Sequence, residues 1–295
     1  MFYNRQQLKF EREEEWGFKT TVSLKAEENE ATGALFFTPL SETNNNMDIP
    51  EDELHNYLHN GKLRTTELHA EVQFAPGRTY INTKQRRLPI NLDAPVFTLG
   101  HTMGFKGFLG GDYSYNLTEA SIYKRFWMKS WGKIDCYLKG GIQWSQVPYP
   151  LLIMPAANLS YIIEDETFNL VNNMEFLNDR FASLDVSWDL NGKIFNRIPL
   201  LKKLKWREYL GVKALWGDLT DKNNPFLEQN QGSSLLMYFP NGCNIMDPKK
   251  PYVEIVAGVH NIFKILHVEY VRRLNYNSLP TAHKHGIRFM LRMTF

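Results

Sequence analysis

The chain has 295 residues, a formal net charge of +2 and two cysteines, and 14% of its residues are aromatic. The small and dispersed charge argues against a nucleic-acid-binding protein. Cys136 and Cys243 lie too far apart for a zinc or redox motif, which leaves a lone disulfide open. No apolar run approaches the roughly 20 residues that a transmembrane helix needs. A mean hydropathy of −0.40 still fits a membrane barrel, because half of each barrel strand faces a polar interior.

The N-terminal part begins in strand-like sequence. Residues 2–14 and 16–28 predict a hairpin, since apolar and polar side chains alternate in its second half. The N-terminus lacks the continuous apolar core of a signal peptide, which favours a chain that is the C-terminal piece of a longer protein. Residues 29–64 predict a long polar loop, in which a short strand over 33–38 and a short helix over 50–59 are candidates.

The middle of the chain predicts six further strands. They cover residues 65–75, 94–104, 113–128, 132–145, 166–177 and 180–190. In the first of them, Glu67, His69 and Glu71 alternate with apolar or small side chains and are predicted to face the interior. A proline-rich loop over 146–164 precedes the fifth strand.

The C-terminal third predicts four strands and a long loop over 218–250. The strands cover residues 206–217, 252–260, 265–274 and 285–295. In the last strand Ile287, Phe289 and Leu291 share one face, and the sequence ends on Phe295. An apolar final strand with a terminal aromatic residue is typical of outer-membrane barrels. We therefore expect this strand to close a barrel and to be recognised by the barrel assembly machinery.

Strand length decides the predicted fold class. About twelve strands are predicted, and several have about nine to sixteen residues, whereas sandwich strands average about five to six. A tilted strand needs roughly nine to eleven residues to cross a bilayer. The sequence thus predicts an all-β, antiparallel transmembrane β-barrel of about 12 strands over residues 1–295. The same pattern fits the C-terminal part of a barrel of about 14–16 strands, truncated at its N-terminus.

Two details bear on this barrel. Trp206 and Trp216 are ten residues apart, which gives ~33 Å along a strand and ~25 Å of membrane height at a tilt of ~40°. That height matches the apolar band between two aromatic girdles. The predicted loop lengths fit a barrel less well. Counting strands back from the C-terminus puts loops 29–64 and 146–164 at the end of the barrel where turns should be short.

Several strings in the middle of the chain resemble one bacterial outer-membrane family. They are Arg87-Leu88-Pro89-Ile90, Ala94-Pro95-Val96-Phe97-Thr98-Leu99, Lys106-Gly107-Phe108-Leu109-Gly110-Gly111-Asp112-Tyr113, Val147-Pro148-Tyr149-Pro150-Leu151-Leu152 and, most specific, Asn196-Arg197-Ile198-Pro199-Leu200-Leu201-Lys202-Lys203-Leu204-Lys205-Trp206-Arg207-Glu208. In that family a carboxypeptidase-regulatory-like β domain precedes a barrel of unknown function. The resemblance covers roughly residues 60–295, and the strings occur in the same order and with the same spacing as in the family.

The resemblance implies a barrel in the style of the surface-antigen and BamA-like assembly-factor barrels. It also implies that this chain lacks the leader, the regulatory-like domain and the early part of the barrel. The Arg-Gly-Phe-type lumen motif of assembly factors is not evident in the sequence, so an insertase role does not follow. The family brings no established biochemical activity with it.

Two acid–histidine groups are the strongest candidates for chemistry. Nucleophile elbows, zinc-protease motifs, phosphate loops and Cys-x-x-Cys pairs are not found in the sequence. The first group is Glu67, His69 and Glu71, and the second is His267 and Glu269. In an enzymatic barrel of the phospholipase or protease type they could polarise a nucleophile or a water. The favoured interpretation is a polar lumen, in which they pair with Lys213, Arg288 or Arg292.

The other candidates have plainer readings. His55 and His59, beside Glu51 and Asp52, have helical spacing for a metal, but a solvated surface is favoured. His283 and His285 flank Lys284, and the extra positive charge favours a solvated hairpin. The basic group of Lys202, Lys203, Lys205 and Arg207 suits either anionic headgroups or a wet turn.

The sequence as a whole predicts a non-enzymatic protein of the bacterial outer membrane, with a transport, assembly or envelope-architecture role. We expect no catalytic, cofactor or metal site. The expected partners are the lipid bilayer and lipopolysaccharide, and the assembly machinery through the strand that ends at Phe295. A barrel-embedded hydrolase and a soluble β-barrel or sandwich that binds a ligand stay open as alternatives.

Overall fold

The computed structural model describes residues 2–33, 35–43, 61–84 and 87–293. Eleven strands form one antiparallel sheet in the order β1-β2-β3-β6-β7-β8-β9-β10-β11-β12-β13, and β4 and β5 form a separate hairpin. The strands are β1 (Phe2–Glu13), β2 (Phe18–Glu30), β3 (Lys62–Phe74), β4 (Tyr80–Asn82), β5 (Arg87–Pro89), β6 (Val96–Gly104), β7 (Tyr115–Trp127), β8 (Lys133–Gln143), β9 (Arg180–Asp189), β10 (Arg207–Asp218), β11 (Tyr252–Ile262), β12 (Leu266–Arg273) and β13 (His285–Leu291). The α-helices are α1 (Leu40–Thr43) and α2 (Pro199–Leu204). Short 3-10 turns cover Lys129–Trp131, Tyr149–Leu151, Phe195–Arg197, Asp221–Asn223 and Glu228–Asn230.

The sheet has two chemically different faces, because side chains alternate along a pleated strand. The outer face exposes large apolar side chains on nearly every strand. They are Leu8, Phe10, Val22, Val72, Phe74, Phe97, Leu99, Ile122, Phe126, Leu138, Leu210, Val212, Trp216, Ile255, Tyr270, Ile287, Phe289 and Leu291. The inner face carries the polar residues that alternate with them, including Glu67, His69 and Glu71 on β3. The predicted alternation is therefore confirmed.

The three longest connections all lie at one end of the sheet, which we call the long-loop end. They cover residues 31–61, 144–179 and 219–251. The prediction of a strand over 166–177 was wrong, since this segment makes only isolated bridges. Without that strand, every earlier connection moves to the opposite end of the sheet from the one predicted. The long connections that the sequence count had placed at the short-turn end therefore lie at the long-loop end. The predicted strand over 33–38 is also absent from the described part of its segment. The candidate helix over 50–59 lies outside the described residues.

The core lies on the inner face, and the connections build it. One cluster joins strand residues to residues of all three long connections, with Leu63 and Tyr115 contributed by the sheet. Its other members are Ala31, Phe37, Val147, Tyr149, Leu152, Leu177, Leu219 and Met237. A second cluster centres on Phe176 and Tyr252. The connections thus fold onto the sheet and cover its polar face.

The sheet is not closed, and its two edges differ. Strand β1 is exposed at every position. Strand β13 is paired with β12 on one side, and on its other side Phe289 pairs with residues 161–163 of a long connection. The Phe289 N–H donates to the Tyr161 carbonyl at 2.8 Å, and the Ile163 N–H donates to the Phe289 carbonyl at 2.9 Å. The predicted all-β, antiparallel, barrel-type fold is confirmed, with eleven strands in the main sheet rather than about twelve.

Candidate functional site

A row of alternating charges crosses the inner face of four neighbouring strands. Asp185 of β9 pairs in register with Lys213 of β10, Lys213 with Glu254 of β11, and Glu254 with Arg273 of β12. Directly opposed residues of an antiparallel sheet have adjacent side chains, so each charge stands beside its opposite. Lys213, Glu254 and Arg273 are at most 7% exposed. We call these four residues the charged row.

The charged row holds the part of the 144–179 connection that covers it, which we call the inner segment (residues 165–179). Glu254 is its central acceptor. One carboxylate oxygen accepts from the Asn169 backbone N–H at 2.9 Å and from the Asn169 amide at 3.2 Å. The other accepts from the Leu170 N–H at 3.2 Å and from the Tyr252 hydroxyl at 2.9 Å. Four donors therefore saturate a carboxylate that is fully buried.

Arg273 makes the second anchor, a buried ion pair. Its guanidinium donates to the Glu175 carboxylate at 2.6 Å, and both side chains are 0% exposed. The same guanidinium donates to the carbonyls of Leu170 and Tyr276 at 3.4 Å and 3.0 Å. It also lies 4.9 Å from the centre of the Tyr252 ring. A buried charge needs such complete pairing, because an unpaired one is strongly unfavourable.

Two further cations complete the hold on the inner segment. The Lys213 ammonium donates to the Thr167 carbonyl at 2.6 Å and lies 3.3 Å from the Asp185 carboxylate. The guanidinium of Arg288, on β13, donates to the Asn169 carbonyl. Strands β10 to β13 thus each direct one buried charged side chain at the same stretch of chain. Apolar contacts, such as Phe168 on Tyr252 at 5.7 Å between ring centres, fill the space between these bonds.

The predicted acid–histidine pair of β12 does not form. Glu269 instead lies 2.9 Å from the Nε2 of His260, on the neighbouring strand β11. His267 contacts the Arg292 carbonyl at 3.3 Å, and its ring lies 4.5 Å from that of His260. Lys213, Arg288 and Arg292 therefore do not pair with these acids as expected, and His260 is the partner that sequence reasoning missed.

The group on β3 is also engaged in pairs. Glu67 accepts from the Tyr115 hydroxyl and lies 2.7 Å from the Lys25 ammonium. His69 contacts the Thr102 hydroxyl at 2.9 Å, and its other ring nitrogen is 3.8 Å from Glu71. A second histidine–threonine contact of 2.9 Å, between His101 and Thr118, occurs on the outer face. The repetition on both faces marks these contacts as cross-strand pairs rather than as a catalytic dyad.

The remaining candidates are placed as follows. Glu51, Asp52, His55 and His59 lie outside the described residues, within which no group of metal-binding side chains assembles. Lys202, Lys203 and Lys205 are exposed on and beside α2, at the end of the sheet opposite the long-loop end. His283 lies directly before Lys284, His285 is the first residue of β13, and both histidines are exposed. Both cysteines are free. The described residues contain no helix with the length and apolarity to cross a membrane.

A polar cavity of about 400 Å³ remains on the inner face beside the inner segment. Strands β3, β6, β7 and β8 line it. Its charged lining residues are His69, Glu71, Arg78, Glu119, Lys139 and Glu166. Glu119 and Lys139 form an ion pair of 2.9 Å across it. This half of the inner face is therefore open and polar, while the half beneath the charged row is filled.

The thiol of Cys243 reports on how tightly the connections pack. It lies in the 219–251 connection against the large inner cluster, and burial raises its pKa to about 12. A raised pKa favours the neutral thiol, so at pH 8 very little of Cys243 is present as the reactive thiolate. We expect Cys243 to resist maleimide in the folded protein at pH 8 and to react at once in denaturant, as measured by peptide mass spectrometry. Rapid labelling of the folded protein would contradict this packing.

The geometry supports holding rather than chemistry. The carboxylate of Glu254 accepts from four donors, that of Glu175 accepts from the Asn172 N–H and the Arg273 guanidinium, and Glu269 lies beside His260. A general base needs a free lone pair beside a substrate-sized space, and Glu254 and Glu175 do not have it. The site is best described as a clamp on the inner segment.

Comparisons with known proteins agree with this architecture. The family model described as "Family of unknown function (DUF5686) C-terminal domain" matches residues 2–232. Among solved structures, the chain is similar to BamA from Haemophilus ducreyi lacking POTRA domains 1-3, with a TM-score of 0.53 and 11% identity over 97% of this chain and 53% of that one. It is also similar to CdiB from Acinetobacter baumannii, with a TM-score of 0.48 and 13% identity over 97% of this chain and 40% of that one. No curated protein matches the chain.

The chain therefore spans about half the length of the BamA chain it matches. At 11% identity this similarity shows the fold alone. The family match begins near the N-terminus, earlier than the resemblance over residues 60–295 implied. The carboxypeptidase-regulatory-like domain that the resemblance also implied stays a prediction.

Proposed function

We infer that this chain, which belongs to the DUF5686 family of unknown function as its C-terminal domain, works as the wall of an outer-membrane β-barrel with a transport or assembly role. The observation that carries the proposal is the contrast between its two faces. An apolar outer face suits lipid, and a polar inner face with a clamped segment suits a gated interior. The fold shared with BamA supports the barrel reading.

In this function the inner segment is a plug, and Lys213, Glu254, Arg273 and Arg288 are its clamp. These buried polar groups of four strands hold the plug together with apolar contacts, so its position depends on a few named bonds. Such a contact can be broken without unfolding the sheet, which a transport or assembly barrel requires and a static wall does not. The saturated carboxylates of Glu254 and Glu175 support a non-enzymatic role.

We propose the same partners that the sequence predicts. The outer face would meet the lipid bilayer and lipopolysaccharide. Recognition by the barrel assembly machinery would use the final strand, of which β13 and Arg292 and Met293 are described and Phe295 is not.

One substitution separates a lipid-facing surface from a water-facing one. Val212 is 45% exposed near the middle of β10, on the outer face. Exchanging it for arginine is expected to cost about 2–4 kcal/mol if the side chain faces the bilayer centre. At a water-exposed site the same change stays within about 0.5 kcal/mol. The protein is refolded into lipid vesicles and titrated with urea, and folding is followed by heat-modifiable gel migration. The quantity compared is the urea concentration at which half of the protein is unfolded.

The matched control is Asn116→Arg, at an exposed outer-face position near the long-loop end of β7. Near the membrane interface an arginine costs only about 0–1 kcal/mol. A barrel wall predicts a large loss for Val212→Arg and little for Asn116→Arg. Equal midpoints for Val212→Arg and the wild type, or protein that stays soluble without detergent, would reject the proposed membrane location.

A further inference from the structure

Residues 193–207, which lead from β9 into β10, are strongly basic, and we call them the basic segment. They contain six Lys or Arg residues and no Asp or Glu, namely Lys193, Arg197, Lys202, Lys203, Lys205 and Arg207. Within the described part of the chain, none of these six side chains forms an ion pair. The 144–179 connection at the long-loop end, by contrast, contains five acidic residues and no Lys or Arg. The basic segment therefore gives a positive charge to the opposite end of the sheet.

Hydrogen bonds fix the basic segment against the outer side of the sheet. The Glu208 carboxylate accepts from the Phe195 N–H, and the Asn261 amide donates to the Lys205 carbonyl at 2.7 Å. Glu208 alternates along β10 with the inward residues and so shares the outer face with Val212. It is nevertheless buried, because the basic segment lies over it. The segment is thus held on the face that the proposed function assigns to lipid.

The basic segment also exposes large apolar side chains. They are Ile194, Ile198, Leu200 and Leu204. Leu200 is 71% exposed, and Leu204 follows it by four residues in α2, so the two side chains lie on the same side of the helix. Lys202 and Lys203, between them, are exposed as well. A turn that meets only water gains nothing from exposed leucines, whereas this combination suits the boundary between acyl chains and headgroups.

Two tryptophans beside the basic segment indicate the depth of this boundary. Trp188, on the outer face of β9, packs against Trp131 with 6.2 Å between ring centres, and its Nε1–H donates to the Trp131 carbonyl at 2.9 Å. The Lys193 ammonium lies 5.3 Å from the centre of the Trp131 ring. Tryptophan side chains collect at the headgroup level of a bilayer. The first lysine of the segment therefore lies at that level too.

We propose that the basic segment docks on anionic phospholipids in the leaflet at its own end of the sheet. Leu200 and Leu204 enter the acyl chains just below the headgroups, and Lys202, Lys203 and Lys205 bind the phosphates. The partner is a lipid surface, because the apolar side chains of the segment continue the apolar outer face and its cations complement a negative surface. The inference rests on the proposed function, since that function places the outer face in a bilayer.

The charge of the segment selects among headgroups. A phosphoglycerol headgroup has a net charge of about −1 and attracts every cation of the segment. A phosphocholine headgroup has the same phosphate, but its trimethylammonium group repels the neighbouring lysines. Each lysine near an anionic surface changes lipid association roughly five-fold. The basic segment thus distinguishes lipids with identical chains, which an uncharged stretch of the outer face does not do.

The test measures which lipid lies beside residue 198. The full chain carries Cys136→Ser, Cys243→Ala and Ile198→Cys, so that a single thiol takes an NBD fluorophore. The labelled protein is refolded into vesicles of equal parts phosphatidylglycerol and phosphatidylcholine, and a nitroxide on the acyl chain of one or the other lipid quenches the fluorophore. The ratio of the two quenching efficiencies gives the preference for phosphatidylglycerol, which we expect to be roughly five-fold or more.

Two variants of the basic segment separate its charges from its apolar side chains. Replacing Lys202, Lys203 and Lys205 together by glutamine should bring the ratio close to one, because the electrostatic attraction is lost. Replacing Leu200 and Leu204 together by serine should lower the quenching by both lipids, because the segment no longer enters the acyl chains.

The matched charge control replaces three exposed lysines of the long-loop end, Lys106, Lys249 and Lys284, by glutamine. It removes the same charge from the protein and should leave the ratio at residue 198 unchanged. A second probe position, Asn116→Cys in the same cysteine background, lies on the outer face near the long-loop end and should give a ratio close to one.

The two probe positions also separate this inference from the proposed function. Absence of quenching at both positions would reject the membrane location itself. Quenching at residue 116 but not at residue 198 would overturn the docking of the basic segment alone. A ratio of one at residue 198, or an unchanged ratio in the triple lysine variant of the segment, would overturn its preference for anionic phospholipids and assign its cations to another anion.

Discussion

Arg273→Ala is expected to lower the temperature at which the folded barrel unfolds, by the loss of about 3–5 kcal/mol. The reason is that Glu175, 0% exposed, would keep its charge without its partner. The carbonyls of Leu170 and Tyr276 would lose a donor as well. The measurement is heat-modifiable gel migration over a temperature series, with the protein in detergent.

A double variant separates the buried ion pair from simple loss of packing. Arg273→Met combined with Glu175→Leu removes both charges and keeps most of the volume, and such replacements of buried pairs are often neutral or stabilising. We expect it to unfold at a higher temperature than Arg273→Ala. Arg272→Ala, an exposed neighbour on the outer face, should behave as the wild type. An unchanged unfolding temperature for Arg273→Ala would show that the pair does not anchor the inner segment.

Glu254→Ala is expected to release the inner segment and to open the interior to ions. The substitution leaves the N–H groups of Asn169 and Leu170 and the Tyr252 hydroxyl without an acceptor in a buried site. Each hydrogen bond to a charged group contributes about 1.5–3 kcal/mol, so the loss should reach several kcal/mol. Single-channel recording in planar bilayers should show frequent, long openings for the variant and rare openings for the wild type.

The control for conductance is Glu119→Ala, also on the inner face. Glu119 pairs with Lys139 across the polar cavity, and this pair is not one of the bonds that hold the inner segment. It should change ion selectivity at most, because it leaves the clamp intact. In Glu254→Ala, faster maleimide labelling of Cys243 would report the loosened connections, since Leu177 and Cys243 pack in one cluster. Identical recordings for Glu254→Ala and the wild type would refute the plug assignment.

The alternation of the sheet could be predicted because it is a local property. Ile287 and Phe289 share a face with a spacing of two residues, and that spacing is visible in the sequence itself. The same holds for Glu67, His69 and Glu71, whose inward orientation is confirmed. Strand length, also local, was sufficient to indicate a barrel-type fold.

The inner segment could not be predicted, because its conformation depends on distant residues. Phe168, Leu170 and Val171 read as part of a strand, yet their neighbours in space are on β10, β11 and β12. Charged side chains and apolar contacts from several separate strands hold this segment away from a ladder. Nothing in the spacing of Lys213 and Glu254 along the chain indicates that they face one another.

The pairing of Glu269 shows a similar limit on a smaller scale. His267 lies two residues away on the same face and is the natural guess for its partner. The register of β11 against β12 shifts between Val259 and Ile262, next to His260. Bulges redirect side chains, and here His260 becomes the partner instead. A bulge of this kind has no clear signature in a sequence of alternating residues.

The bridge between Phe289 and residues 161–163 makes two events mutually exclusive. The Phe289 N–H and carbonyl that would join β13 to another strand are already used by Tyr161 and Ile163. Any strand that adds to this side of β13 must first compete for those two groups. Residues 161–163 belong to the same connection as the inner segment. A movement that withdraws this whole connection from the interior would therefore also expose the edge of β13 to a new strand.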